Sequence, residues 1–166
     1  MKLILISLFG SLLTITGLHA APEARDISLK VKVDGKATYK GDSVTQTRNL
    51  LLSLSLWGKE PSPNLVVKWT IYGHDRKGHD PVVIKSGEIK AALEAGKSVE
   101  IATPVVTING VREHTVSTRS WRGARSRKLK TVPASGQEYF GYSAVVMSGS
   151  TIVAEAYSSP SFKKSH

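Results

Sequence analysis

Apolar and polar residues alternate along most of this chain, and a period of two is a pattern that only extended strands can use. An extended backbone sends successive side chains to opposite faces, whereas a helix would scatter the same residues around its circumference. Ile27, Leu29, Val31 and Val33 alternate with Ser28, Lys30 and Lys32. Leu50, Leu52, Leu54 and Leu56 repeat the pattern with Ser53 and Ser55 between the later pairs, and Leu65, Val67, Trp69 and Ile71 make a third strand. Weaker strands are expected at Val82–Lys90 and Val99–Ile108, and Tyr139–Met147 with Thr151–Tyr157 read as a closing hairpin around Ser148-Gly149-Ser150. Turn residues separate these runs: Asp34-Gly35, Gly41-Asp42, Pro61-Ser62-Pro63, Lys77-Gly78, Ala95-Gly96 and Asn109-Gly110. Lys90–Leu93 is assigned a single helical turn, and no amphipathic helix is expected.

About seven short strands with turns between them predict an all-β fold of two packed antiparallel sheets. In that setting the residues resemble the immunoglobulin-like and fibronectin-like sandwiches. Trp69 lies mid-strand, as the core tryptophan of that family does, and Tyr142-Ser143-Ala144 is similar to its tyrosine corner. Its two cysteines are absent, with Leu54 and Ala144 near their places. The run from Trp69 through Tyr72, Asp75 and Gly78 to Gly96-Lys97-Ser98 also resembles small exported bacterial β-sandwich proteins. The resemblance implies the fold and leaves the function open, because such sandwiches host many unrelated roles.

The start of the chain carries an address. Lys2 precedes the uncharged apolar run Leu3–Gly17, and Leu18-His19-Ala20 ends in a small residue, the layout of a secretory signal peptide cleaved after about Ala20. A retained membrane anchor is the alternative, but Gly10 and Gly17 interrupt the run, which falls short of the roughly 20 residues a span needs. Residues 1–20 are thus read as signal and 21–166 as a single domain that is exported to the periplasm or beyond. The chain has no cysteine, which excludes disulfides, cysteine–zinc sites, thiol nucleophiles and lipid attachment through cysteine.

Several motifs suggest chemistry and are set aside. Ala91–Ser98 contains Gly96-Lys97-Ser98 as in a phosphate loop, but has one glycine and leads into a strand, so a plain turn and no ATP are expected. His74, Asp75, His79 and Asp80 could offer imidazole and carboxylate to a metal, although Arg76 and Lys77 between them would repel a dication. A solvated hairpin tip is the simpler reading, leaving a metal-dependent hydrolase as a minor alternative. His114, beside Arg112 and Glu113, is expected to be exposed. No serine sits in a Gly-x-Ser-x-Gly elbow and no acidic pair stands out, so neither enzymatic activity nor a cofactor is expected.

The charge is the remaining signal. The full chain carries +10, and Arg112–Lys130 alone holds seven basic residues against the single acid Glu113. Within it Arg119, Arg122, Arg125, Arg127, Lys128 and Lys130 surround Trp121, in a connection at about 109–136 far longer than the usual four to six residues. Glu113–Thr118 and Leu129–Val132 are expected to pair into a hairpin arm. Guanidinium forks suit phosphate, sulfate or carboxylate, and an indole can stack on a sugar. The expectation is a non-catalytic binding or accessory protein whose loop contacts an anionic polysaccharide, a lipid headgroup or an acidic protein, away from intracellular nucleic acid. The bland counterpart is a solvated loop on a passive structural domain of an envelope assembly, which would use a strand edge or the apolar face around Trp57. Lys163–His166 is read as a loose tail.

Overall fold

The computed structural model describes residues 26–76, 78, 80–118 and 128–165. They form ten strands: β1 Ile27–Lys40, β2 Ser43–Leu56, β3 Ser62–Asp75, β4 Pro81–Leu93, β5 Ser98–Ala102, β6 Val106–Val111, β7 His114–Thr118, β8 Lys128–Val132, β9 Ser135–Ser148 and β10 Thr151–Tyr157. A 3₁₀ turn, Pro160–Ser165, follows. Every strand pair is antiparallel. The expected signal segment lies outside the described residues.

Two sheets face each other across one core. In the first, β2 is central: β1 pairs along its whole length on one side, while β6 takes Ser43–Arg48 and β5 takes Leu51–Ser55 on the other. The second runs β4-β3-β9-β10. β9 belongs to both, since Ser135 and Gly136 pair with β6 before Gln137–Ser148 pairs with β3. The alternation explains the core. Leu50, Leu52, Leu54 and Leu56 point inward from one sheet and meet Leu65, Val67, Trp69 and Ile71 from the other, all buried in a single cluster. Each such side chain withdrawn from water contributes about 1.5–3 kcal/mol before conformational entropy is charged against it.

The three strands beyond the expected seven are β7 and β8, the expected hairpin arm, and the one gained where Val99–Ile108 divides; several expected turns are also absent. β1 does not turn at Asp34-Gly35 but continues to Lys40, with Gly35 at φ 149°. A Cβ there would stand 1.9 Å from the Thr47 carbonyl oxygen, so only glycine carries the strand through. Asn109-Gly110 is likewise inside β6, not a turn. Lys90–Leu93 stays extended because Ala91 packs against the core and Leu93 is fully inside it. The segment Val99–Ile108 splits into β5 and β6 at Thr103-Pro104, where proline has no amide to donate. Thr103 bridges the break: its N–H donates to the Leu50 carbonyl and its hydroxyl accepts from the Leu50 N–H, both at 2.9 Å.

The C-terminal segment is no loose tail through Ser165. Phe162 is buried on the outer side of the second sheet, stacked on Tyr72 at 4.3 Å and edge-on to Phe140 at 5.7 Å. Ser158 fastens the approach, its N–H and hydroxyl both donating to the Tyr142 carbonyl while its oxygen accepts from the Tyr142 N–H. Lys163 then pairs with Glu155.

Candidate anion-contacting end of the fold

The β7–β8 arm stands apart from the eight-stranded framework as a separate two-stranded ladder. Its register runs from His114 opposite Val132 to Thr118 opposite Lys128. Thr115, Val116, Thr118, Thr131 and Val132 are β-branched, which suits a strand with little core to pack against. Leu129 is 72% exposed and Lys130 is exposed beside it. Of the seven anion-binding candidates, Lys128 and Lys130 fall on β8, while Arg119, Trp121, Arg122, Arg125 and Arg127 lie outside the described residues.

The root of the arm is built from three elements. Val111 and Ser135, the last residue of β6 and the first of β9, are register partners, so the chain leaves and re-enters the fold at one place. The Arg112 N–H donates to the Asp42 carbonyl at 2.8 Å, and its guanidinium lies 4.7 Å from the centre of the Tyr39 ring. His114 is half-buried rather than exposed as expected, because its Nδ1–H donates to the Arg112 carbonyl at 3.1 Å with the Asp42 carboxylate 3.8 Å away. These contacts seat the arm against the β1–β2 turn.

A cavity of about 350 Å³ opens beside this root, lined by Ser43, Thr45, Asn109, Gly110, Ser135 and Gly136. Val44 and Val111 complete its wall, which is more apolar than polar, and the Thr45 hydroxyl donates to Asn109 Oδ1 at 3.1 Å. No titratable side chain lines it.

The histidine–aspartate loop reaches the same end of the molecule. The Arg76 N–H donates to the Gly136 carbonyl at 3.1 Å, and Arg76 Nη2 pairs with Glu138 at 3.3 Å. His74 turns its ring edge-on to Phe140 at 5.3 Å, and its Nδ1–H donates to the Asp75 carbonyl at 3.1 Å. Asp75 and Asp80 are exposed, and His79 lies outside the described residues. Among the described residues no group of three or more histidines and carboxylates is arranged to hold a metal ion. Ala91–Ser98 is the end of β4, a turn and the start of β5, with Glu94 and Lys97 paired at 2.5 Å across the turn. That pair draws the Glu94 carboxyl down and the Lys97 ammonium up from their ordinary values, chiefly through the hydrogen bond.

Sequence reasoning missed a second basic feature. Lys30, Lys32, Lys36 and Lys40 are all exposed and occupy even positions of one unbroken strand. The alternation carried that signal, but a turn placed at Asp34-Gly35 divided it. Among the described residues none of the four β1 lysines has an acidic partner; on the other sheet Lys68 pairs with Glu88 and Lys163 with Glu155, while Lys85 and Lys90 of β4 are likewise without one.

The sequence matches no protein-family model, and no curated protein matches it. Among solved structures the chain is similar to the X-ray structure of Northeast Structural Genomics Consortium target SoR45, at 11% identity and a TM-score of 0.33. The similarity covers 82% of this chain and 89% of that one.

Proposed function

We propose that this is an exported, non-catalytic immunoglobulin-like β-sandwich protein whose basic arm contacts an anionic component of the cell envelope or its surroundings. The strand order supports the sandwich reading: β1-β2-β5/β6 against β4-β3-β9-β10 places Trp69 on a strand that pairs with β9 directly at Ala144. Leu54, Ala144 and Trp69 share the one core, where the cysteines and tryptophan of antibody domains would meet. The Tyr142 hydroxyl makes no hydrogen bond among the described residues, so the likeness to a tyrosine corner adds nothing.

The observation that carries the function is the arm itself. A two-stranded ribbon held at its root by Arg112, His114 and Asp42 flanks in sequence the densest run of cations in the chain. An isolated ribbon of this length gains little stability from its own pairing, so its length is better accounted for by what it contacts. The protein is expected to bind a heparin column and to elute earlier when Arg122, Arg125 and Arg127 are replaced by alanine. Removing three guanidinium–anion pairs should lower the slope of log affinity against log salt by about 2–3. Unchanged retention of the triple variant would sink the reading. A passive interaction domain is the second reading, favoured by Trp57, which is 77% exposed just past the end of β2. Binding to a purified envelope partner that survives loss of the arm and disappears in Trp57→Ser would select it.

A further inference from the structure

The outward face of the first sheet combines a row of lysines with many hydroxyl side chains. Its rows follow from the register. Lys36 lies beside Thr47 and Thr107, Thr38 beside Thr45 and Asn109, and Lys30 beside Ser53 and Glu100. Along β1 the lysines form one margin. Elsewhere on the face hydroxyl and amide side chains predominate, joined in places by bonds such as Ser55 to Ser98 at 2.7 Å, with Leu51 and Ala102 in the row of Lys32 and Val111 beside Ser43 as its apolar members. Two acids interrupt it, Asp34 and Glu100, and Asp34 Oδ1 is already engaged by the Gly35 N–H at 2.9 Å. No aromatic residue occurs on this face among the described residues.

We propose that this face binds a linear acidic polysaccharide, laid along the Lys30, Lys32, Lys36 and Lys40 margin with its hydroxyl groups on Thr107 and Asn109. The inference deepens the anionic-ligand reading above and rests on it for the sign of the ligand's charge. From Lys30 to Lys40 an extended strand spans up to about 34 Å, and neighbouring alternate positions are about 6.8 Å apart. A compact anion would meet one or two of these ammonium groups; only a chain with repeated charge meets all four. The hydroxyl and amide side chains name the class of chain. Sugars offer a dense supply of hydroxyl donors and acceptors, and Asn109, whose carbonyl oxygen accepts from Thr45, uses its N–H groups on no partner among the described residues. Single-stranded nucleic acid draws its affinity from aromatic stacking platforms, which this face lacks. The major groove of a duplex admits a helix or a two-stranded ribbon, and this broader sheet face is neither. The margin ends at Lys40, two residues before Asp42, whose carbonyl accepts from the Arg112 N–H at the root of the arm, so one polymer can engage both.

The test measures binding of purified protein to polygalacturonate, inorganic polyphosphate and duplex DNA by titration calorimetry at two salt concentrations. Replacing the four lysines by glutamine should weaken polygalacturonate binding at least tenfold, and four arginines in their place should restore it. The melting temperature of each variant shows whether the fold is intact. The pair Thr107→Ala and Asn109→Ala should weaken polygalacturonate three- to tenfold and leave polyphosphate, which has no hydroxyls, unchanged. If the glutamine variant binds like the wild type while the arm triple variant does not, the face inference is overturned and the arm reading stands. If the wild type binds no polyanion, the arm reading falls too. Tighter, lysine-dependent binding of duplex DNA would overturn the polysaccharide.

Discussion

Gly141 decides whether the C-terminal turn can dock. A Cβ on it would lie 2.2 Å from the Ser158 hydroxyl and 2.6 Å from the Phe162 ring, so the outer packing depends on its having none. Gly141→Ala should cost about 1–3 kcal/mol through overpacking, and Phe162→Ala about 3–5 kcal/mol through the cavity it leaves, both read by denaturant melts. Tyrosine supplies a pH signature. Burial holds the Tyr139 phenol above its ordinary value of 10.0, and burial with the hydrogen bond to Glu155 does the same for Tyr157. The folded state therefore keeps protons that the unfolded chain has lost above that pH. Stability from these groups is complete below about pH 10 and declines as pH rises past it. Tyrosinate absorbance and melts followed from pH 9 to 12 should show that fall, and Tyr139→Phe should reduce it. Trp69 is legible as a core residue because its own strand alternates around it. Phe162 is not, because its partners Tyr72 and Phe140 are distant in sequence and the Ser158-Ser159-Pro160 step before it reads as the end of order.

Among the elements, the arm is the most separable. Its ends, Val111 and Ser135, are register partners, so replacing residues 112–134 with a short turn leaves β6 and β9 the same gap to bridge. Such a protein should keep its circular dichroism spectrum and lose only about 1–2 kcal/mol, the value of the few root hydrogen bonds. Loss of folding would show that the arm is part of the framework. The arm can be read from sequence, since β-branched runs flank the basic segment. β1 is only half legible: its first half alternates plainly, but glycine after aspartate has the same appearance whether it turns a chain or lets a strand pass close to its neighbour. Only the Thr47 carbonyl distinguishes the two at Gly35, and that contact belongs to the fold. The lysine margin of β1 is hidden by the same ambiguity.

At the scale of the whole molecule, β9 makes the two sheets one object. Its first two residues close one sheet and the remainder form the centre of the other, so neither sheet is complete alone. Scanning calorimetry should give one transition whose calorimetric and van't Hoff enthalpies agree, and two resolved transitions would contradict that coupling. The edges that remain open then determine how the protein ages in concentrated solution. β1 is guarded by its lysines, and β10 is irregular between Ile152 and Ala154. β4 has Pro81 at its start and Lys85, Glu88 and Lys90 farther along, but between them Val82 and Val83 are 43% and 56% exposed on a strand with only one paired side. Strand edges of this kind recruit like edges from other copies, and charge is what ordinarily forbids it. Shelf life, rather than folding, is thus governed by a stretch of backbone that takes no part in either proposed contact.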